Sequence, residues 1–380
     1  MDIKLLKYNK EDNITGLVKC LEEDKDYLRN IPHKPGEFSN KPFKLTTTCL
    51  KGHVGDYYDY YKESFQLATC DNNIITKFSS IKIIEHENVE LNIFKVNVSI
   101  HKRYNIKKTT QSSNLKGIPL IFVDGIKIWG VFMQDYLPYL LFMKEILDKD
   151  KDINIYIINE NRDFDSFNYI IKNILNINNN IIYLNFNTYN KVIFKTLYEF
   201  QINGPFSSGL FPYIGHCTCP VVLYKNLRKY IANTYLNNII QDKPCLIYTM
   251  RNTGNKTRNI INEHKIINIL EEYCKTNNLQ FIKFFYKDYP INKRFKLFYN
   301  AKIVIGPHGS ANFHTLFCNN DVNIIEYVFI KDCHSTQLVN LSYGFNYWQI
   351  PVHEYGQYEK NIQISNKSIN SMITIINKLV

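Results

Sequence analysis

No apolar run in this 380-residue sequence is long enough to cross a bilayer. The most apolar stretch, Ile118 to Met143, is broken by Asp124, Lys127 and Asp135, whereas a spanning helix needs about 20 consecutive apolar residues. The opening segment, MDIKLLKYNKEDN, has no extended apolar core and no small-residue cleavage site, so no signal peptide is expected. Both absences point to a cytoplasmic chain without a membrane span. Cysteines occur at 20, 49, 70, 217, 219, 245, 274, 318 and 333 without regular spacing. That pattern speaks against a disulfide framework and for reduced thiols. There is no internal repeat, and no low-complexity tract beyond asparagine runs such as Asn178-Asn179-Asn180.

Charge is unbalanced but not concentrated. The 46 basic and 35 acidic residues give a net charge of +11, yet the basic ones form only short clusters such as Lys102-Arg103 and Lys107-Lys108. Nothing resembles a nucleic-acid-reading module. The surplus fits nucleic acid, an acidic membrane or an anionic nucleotide equally well. Heavy use of Asn, Ile, Lys and Tyr also fits the coding bias of an AT-rich genome, as in a large virus or a protist. A metal motif is missing as well. Asp56 and Asp59 flank tyrosines, and Asp163 with Asp165 stands at the start of an expected helix rather than in a loop. The cluster His216-Cys217-Thr218-Cys219 lacks a second Cys/His pair at finger-like spacing, so packing thiols suit it better than zinc. The expectation is no metal and no bound cofactor.

What is present suits two α/β domains: the length exceeds one small domain, and 45% apolar residues can fill two cores. The first 115 or so residues are poorly legible, with aromatic and charged residues mixed from Asp56 to Phe65 and an alternating run from Val89 to Ile100. From Pro119 the pattern clears into strand 119–123, helix 137–147 with Pro138 in its first turn, strand 153–158, helix 164–175 and strand 181–184. Gly204 to Gly209 is turn-rich, 223–236 reads as helix, and 237–244 as a linker. A second alternating block follows: strand 245–250, helix 259–275, strand 280–285, helix 291–299, strand 302–306, helix 310–318 and strand 323–328. Such alternation predicts parallel sheets covered by helices. The expected domains are 1–242, 243–365, and a terminal helix, 366–380, crossing back to the first domain.

Two motifs carry chemistry. In the segment from Ala301 to Tyr327, β-branched Ile303, Val304 and Ile305 lead into the turn Gly306-Pro307-His308-Gly309, with Ser310 as N-cap of the next helix and Glu326 on the following strand. A glycine turn feeding a helix N-terminus presents backbone N–H groups and positive dipole to a phosphate. A carboxylate such as Glu326 can accept from ribose hydroxyls. Short glycine motifs also occur by chance, and His308 could equally be a turn histidine bonded to backbone. Upstream, the strand 246–248 leads to Arg251, a polar loop, Arg258 and an amphipathic helix striped by Ile260, His264, Ile267, Leu270 and Cys274. Arginines at the carboxyl end of a strand suit a pyrophosphate, since a guanidinium fork bonds two oxygens at once. A solvated basic loop would look the same. The two motifs in this order outweigh either alone.

Together they resemble glycosyltransferase family 61, which includes plant xylosyl- and arabinosyltransferases and animal enzymes that add N-acetylglucosamine to protein-linked acceptors. The resemblance rests on Arg251, on Arg258 followed by Asn262-Glu263, on the Gly306-Pro307-His308-Gly309 turn and on Ile324-Ile325-Glu326. A third similarity is WGVFMQDYLP, residues 129–138, where Asp135 stands for the family's acidic residue before a Leu-Pro pair. The similarity spans roughly residues 119 to 328. It departs at Gly130 and Val131, where many relatives carry a histidine, and at Ser310-Ala311-Asn312, where an Ala-Gly-Leu-like sequence is usual.

The resemblance implies a GT-B-like fold, with two Rossmann-type parallel-sheet domains facing a central cleft. It also implies inversion at the transferred sugar, UDP as donor nucleotide, and a glycan or glycoprotein acceptor. On the residues themselves, Arg251, Arg258, His308, Gly309 and Ser310 would hold the diphosphate without a metal. Glu326, Asn262 and Glu263 would contact donor ribose or sugar. Asp135 is the first choice of general base, ahead of His308 and Glu326, because it precedes an apolar helix at the entry to the expected cleft, where burial would raise its pKa toward a useful range; a capping or surface acid is the alternative. Two other readings stay open: a silent glycan- or nucleotide-binding protein of the same fold, and a basic nucleic-acid-binding protein.

Overall fold

The computed structural model describes residues 2–7, 19, 21–24, 65–66, 75–76, 80–95, 102–121, 129–159, 165–185, 191–203, 221–251, 259–328, 334–352 and 361–379. They fall into two compact units. The first takes in Met1–Asn13, Lys41–Phe65 and Thr76–Leu223; the second takes in Ile14–Asn40, Gln66–Ile75 and Tyr224–Val380.

The first unit is built on a mixed seven-stranded sheet. Strand β1 (Asp2–Lys7) comes first in the chain, and two dipeptide strands, β2 (Phe65–Gln66) and β3 (Ile75–Thr76), pair with each other apart from this sheet. Next come β4 (Ser80–Lys95), β5 (Lys102–Lys108), β6 (Lys116–Ile121), β7 (Asn154–Asn159), β8 (Ile181–Asn185) and β9 (Lys191–Asn203). Their order is β1-β4-β9-β6-β7-β8, with β5 on β4. β6, β7 and β8 run parallel, as the alternation from Pro119 predicts, and β9, which that reading lacked, pairs parallel with β6. β1, β5 and β9 pair with β4 antiparallel, an arrangement the reading of an all-parallel domain did not contain. The reason is visible in β9: Val192, Phe194 and Leu197 are buried while Lys191 and Lys195 are exposed, so the strand is half solvated as antiparallel sheets allow.

Helix α1 covers β6. It starts as Trp129–Val131, widens into a π-turn at Phe132–Tyr136, and continues as Leu137–Lys149. Pro138 lies in the first turn of that last piece, where a missing N–H costs nothing, and Leu137, Leu140, Met143 and Leu147 are buried at helical spacing. The next helix, α2, runs from Asp165–Tyr169 into a second π-turn, Ile170–Ile174. There the Leu175 amide reaches back five residues to the Ile170 carbonyl at 2.9 Å. Phe132 stacks on Phe167 with ring centroids 4.1 Å apart, tying α1 to α2.

Helix α3 (Val221–Thr234) contains the boundary between the units. The second unit's sheet is parallel throughout: β10 (Cys245–Thr249), β11 (Gln280–Phe284), β12 (Ala301–Pro307), β13 (Asn323–Val328) and β14 (Asn346–Pro351), in the order β11-β10-β12-β13-β14. Helices α4 (Glu263–Thr276), α5 (Ile291–Tyr299) and α6 (His334–Ser342) and a 3-10 helix (Ser310–Phe317) supply the crossovers. All five residues of β10 are buried, as a central parallel strand demands. α4 buries Ile266, Leu270, Tyr273 and Cys274, so the inward stripe is displaced from the expected one and His264 is exposed.

The last helix, α7 (Asn366–Asn377), is N-capped by the Ser365 hydroxyl accepting from the Ser368 amide. It belongs to the second unit, where the sequence reading expects a return to the first domain. Ile369, Met372, Ile375 and Ile376 join Leu246, Tyr248, Ile305 and Tyr327 in one core. The Tyr273 hydroxyl also donates to the Ile376 carbonyl at 2.9 Å. The class is therefore mixed α/β with two parallel-rich sheets, consistent with a GT-B fold.

Candidate functional site

Numbered within the second unit, the strand order is 2-1-3-4-5, and the chain leaves β10 and β12 toward opposite sides of the sheet. Ligands in open α/β sheets bind at such a switch point, outside the carboxyl ends of the two strands. The residues there are Arg251, two positions after β10, and His308-Gly309, immediately after β12. Arg251 Nη1 donates to the His308 carbonyl oxygen, so the two sequence motifs meet in one place.

Gly306 is needed for that approach, and Gly309 leaves room for the guanidinium. A Cβ on Gly306 would lie 2.0 Å from Thr249 Oγ1 and 2.7 Å from the Thr249 carbonyl oxygen, inside the neighbouring strand. On Gly309 it would lie 3.2 Å from Arg251 Nη1, tight against the guanidinium.

Below the turn lies a buried polar network. His308 Nδ1 is 3.0 Å from Glu326 Oε1, and the Glu326 side chain is fully buried. Asn312 Nδ2 donates to the same oxygen at 3.1 Å and to the Pro307 carbonyl at 3.2 Å. Thr336 Oγ1 lies 2.8 and 2.7 Å from the two Glu326 oxygens, and the Tyr347 hydroxyl donates to Oε2. Thr249 Oγ1 donates to Asn312 Oδ1 at 3.0 Å, which ties the network back to β10. A buried carboxylate is tolerable only when its lone pairs are met by donors, and here several converge.

The segment after the turn is a 3-10 helix and not the expected α-helix. Ser310 is its exposed first residue, the capping position is Gly309, and no side-chain cap bond forms. Side chains compete with the backbone here: Thr315 Oγ1 donates to the Asn312 carbonyl at 2.7 Å, and Asn312 turns back to the Pro307 carbonyl. The far end is closed by buried Arg228, whose Nη1 donates to the Leu316 carbonyl at 2.7 Å and Nη2 to the Cys318 carbonyl at 2.6 Å. The C-terminal carbonyls of a helix need such donors.

Other expected site residues are placed differently. Asn262 Nδ2 donates to the Ile364 carbonyl at 2.7 Å while its Oδ1 accepts from the Ile364 amide at 2.9 Å, so the amide pins the segment leading to α7. Glu263 opens α4, and its Oε1 accepts from the buried Tyr248 hydroxyl at 3.1 Å. Burial pushes the Glu263 carboxyl above its ordinary range, against the opposing effect of that hydroxyl. Arg258 lies outside the described residues, as do Asp56, Asp59, Asp163, His216, Cys217 and Cys219. In the first unit, the backbone of Asp135 falls in the π-turn of α1. Its neighbour Gln134 is buried, and its Nε2 has no hydrogen-bond partner among the described residues.

Among the described residues no group of three or more His, Cys, Asp or Glu side chains could hold a metal ion, and no helix is long and apolar enough to cross a membrane. Sequence reasoning missed Thr336, Tyr347 and Arg228, which come from elements or positions with no local motif. Asn312 had one signal, its place in the departure Ser310-Ala311-Asn312.

Comparison with known proteins adds one positive finding. The family model described as Glycosyltransferase 61 matches residues 129–325, just over half of the chain. No curated protein matches the chain.

Proposed function

This chain belongs to glycosyltransferase family 61, and on that premise we propose that it transfers a sugar from a UDP-sugar to a glycan or glycoprotein acceptor, with inversion and without a metal. The observation that supports this most is the meeting of Arg251 and His308 at the switch point between β10 and β12. A leaving diphosphate gathers negative charge, which a guanidinium, an imidazole and turn amides offset by fixed hydrogen bonds. Arg251, His308 and the amides of Gly309 and Ser310 take this role, with Arg258 joining from the loop after Arg251. Glu263 is the acidic side chain offered to the donor sugar. Asn262 is left out, because its amide is already committed to Ile364 at both ends. Asp135 serves as the base that takes the acceptor hydroxyl's proton.

Calorimetric titration tests the donor site. Arg251→Ala should weaken UDP about 100-fold, the worth of two charge-assisted hydrogen bonds, and leave uridine almost unaffected. Equal losses for UDP and uridine would remove the phosphate from this arginine. EDTA should leave UDP affinity unchanged; a large loss with chelator would instead demand a metal. If UDP binds normally but no UDP-sugar is hydrolysed or transferred, the silent binder of the same fold takes the transferase's place.

A further inference from the structure

We infer that Glu326 is a positioning residue that keeps His308 protonated, rather than a ligand for ribose. The bottom of the network admits nothing else. The carboxylate is fully buried on β13, and Asn312, Thr336, Tyr347 and His308 all direct polar groups at its two oxygens. A ribose hydroxyl has no open face to approach. What the carboxylate does reach is the ring of His308, which is 13% exposed.

The chemistry follows from which ring nitrogen is used. With Nδ1 directed at Glu326, the nitrogen that can address a phosphate is Nε2. A neutral ring that donates through Nδ1 would present a lone pair from Nε2 and repel a phosphate oxygen. A protonated ring donates from both nitrogens, one to the carboxylate and one to the ligand. A buried carboxylate at hydrogen-bond distance favours that charged form. The groups facing the imidazole and its carbonyl include Glu326 from β13, Thr336 from α6 (Oγ1 3.3 Å from Nδ1) and Arg251 beyond β10. Tyr347 on β14 addresses Glu326 itself. Thr336, Asn312 and Tyr347 orient the carboxylate, as the outer partners of a metal-bound histidine orient that ring.

The inference concerns the imidazole alone and rests on the donor reading only for its consequence in UDP binding, so two measurements separate them. The first is an NMR titration of the His308 ring protons, assigned by their loss in His308→Gln. Glu326→Gln should move the His308 midpoint to lower pH by about one unit or more. An unmoved midpoint in a folded Glu326→Gln chain would overturn the inference.

The second is UDP affinity against pH, measured on the wild type, both single variants and the double variant. In the wild type, affinity should fall as pH rises through the His308 titration, and in Glu326→Gln that fall should begin at lower pH. In His308→Gln it should vanish, and adding Glu326→Gln should then weaken UDP no further. Fully additive losses would mean that Glu326 acts independently of His308, and the inference would fail. A shifted midpoint in a protein that does not bind UDP would keep the inference and sink the donor reading.

Discussion

The two units hold their polar chemistry in contrasting ways. In the second, β10, β12 and β13 are apolar and buried along most of their length, and the polar groups gather where those strands end. Arg251, His308 and Glu326 are therefore held by three adjacent strands and by one another. In the first, the sheet is half antiparallel and the acidic candidate lies in a π-turn of α1. Such turns often mark functional positions because they shift a helix face by one residue. The contrast teaches that a parallel switch point brings residues of separate motifs together, while a π-turn sets its residues within a single segment.

The sharpest way to break this comparison is Asp135→Asn. Turnover should drop by about 10²- to 10⁴-fold, the usual worth of a general base, with UDP affinity unchanged. Unaltered turnover would take the chemistry away from the π-turn.

Next in size is Gly306→Ala, which forces a methyl into Thr249 across β10 and β12. About 3 kcal/mol of stability should be lost, read from the urea midpoint. A neutral result would show that the two strands can part at the site.

A smaller effect concerns His314, stacked 5.2 Å from Phe298 and pulled down to about 3 by burial, with the charge of Arg294 adding to it. Its folded value lies below its unfolded value. The unfolded chain therefore takes up a proton first as pH falls, and stability should decline between about pH 6.5 and pH 3. This contribution amounts to about 2 kcal/mol between pH 7 and pH 5. His314→Phe should remove that part of the acid dependence; an identical pH profile would place the ring in contact with solvent.

The smallest effect sharpens the comparison from the sheet side. Burial pushes the Cys245 thiol up to about 12 and that of Cys274 up to about 11. Both should resist thiol reagents in the native protein and react on unfolding. Rapid native labelling, located by mass spectrometry, would show that the parallel sheet opens if it occurs at Cys245 and that α4 lifts from the core if it occurs at Cys274.

Legibility followed the same division. Strands such as Cys245–Thr249 and Asn323–Val328 were readable because a strand buried on both faces is a continuous apolar run. The carboxyl-end arginine and the glycine turn each have ordinary structural uses, and they stood out in the sequence only because both occur, in that order, after apolar strands. β9 alternates buried and exposed residues as a half-solvated strand does and was overlooked in the sequence, whereas NYWQIP, the sequence of β14, lacks a clean period. The 3-10 helix could not be told from an α-helix, since the side chains of Asn312 and Thr315 make the difference by bonding backbone.

The family, most of the alternation of strands and helices from Pro119 to Val328, and the two motifs that end at Arg258 and Glu326 were written in local patterns along the chain. That Arg251 touches the His308 carbonyl, and that Glu326 lies beneath the imidazole amid Asn312, Thr336 and Tyr347, was settled by tertiary structure alone. These contacts join residues far apart in sequence, and only parallel strand pairing, with its crossovers, decides which strand ends become neighbours.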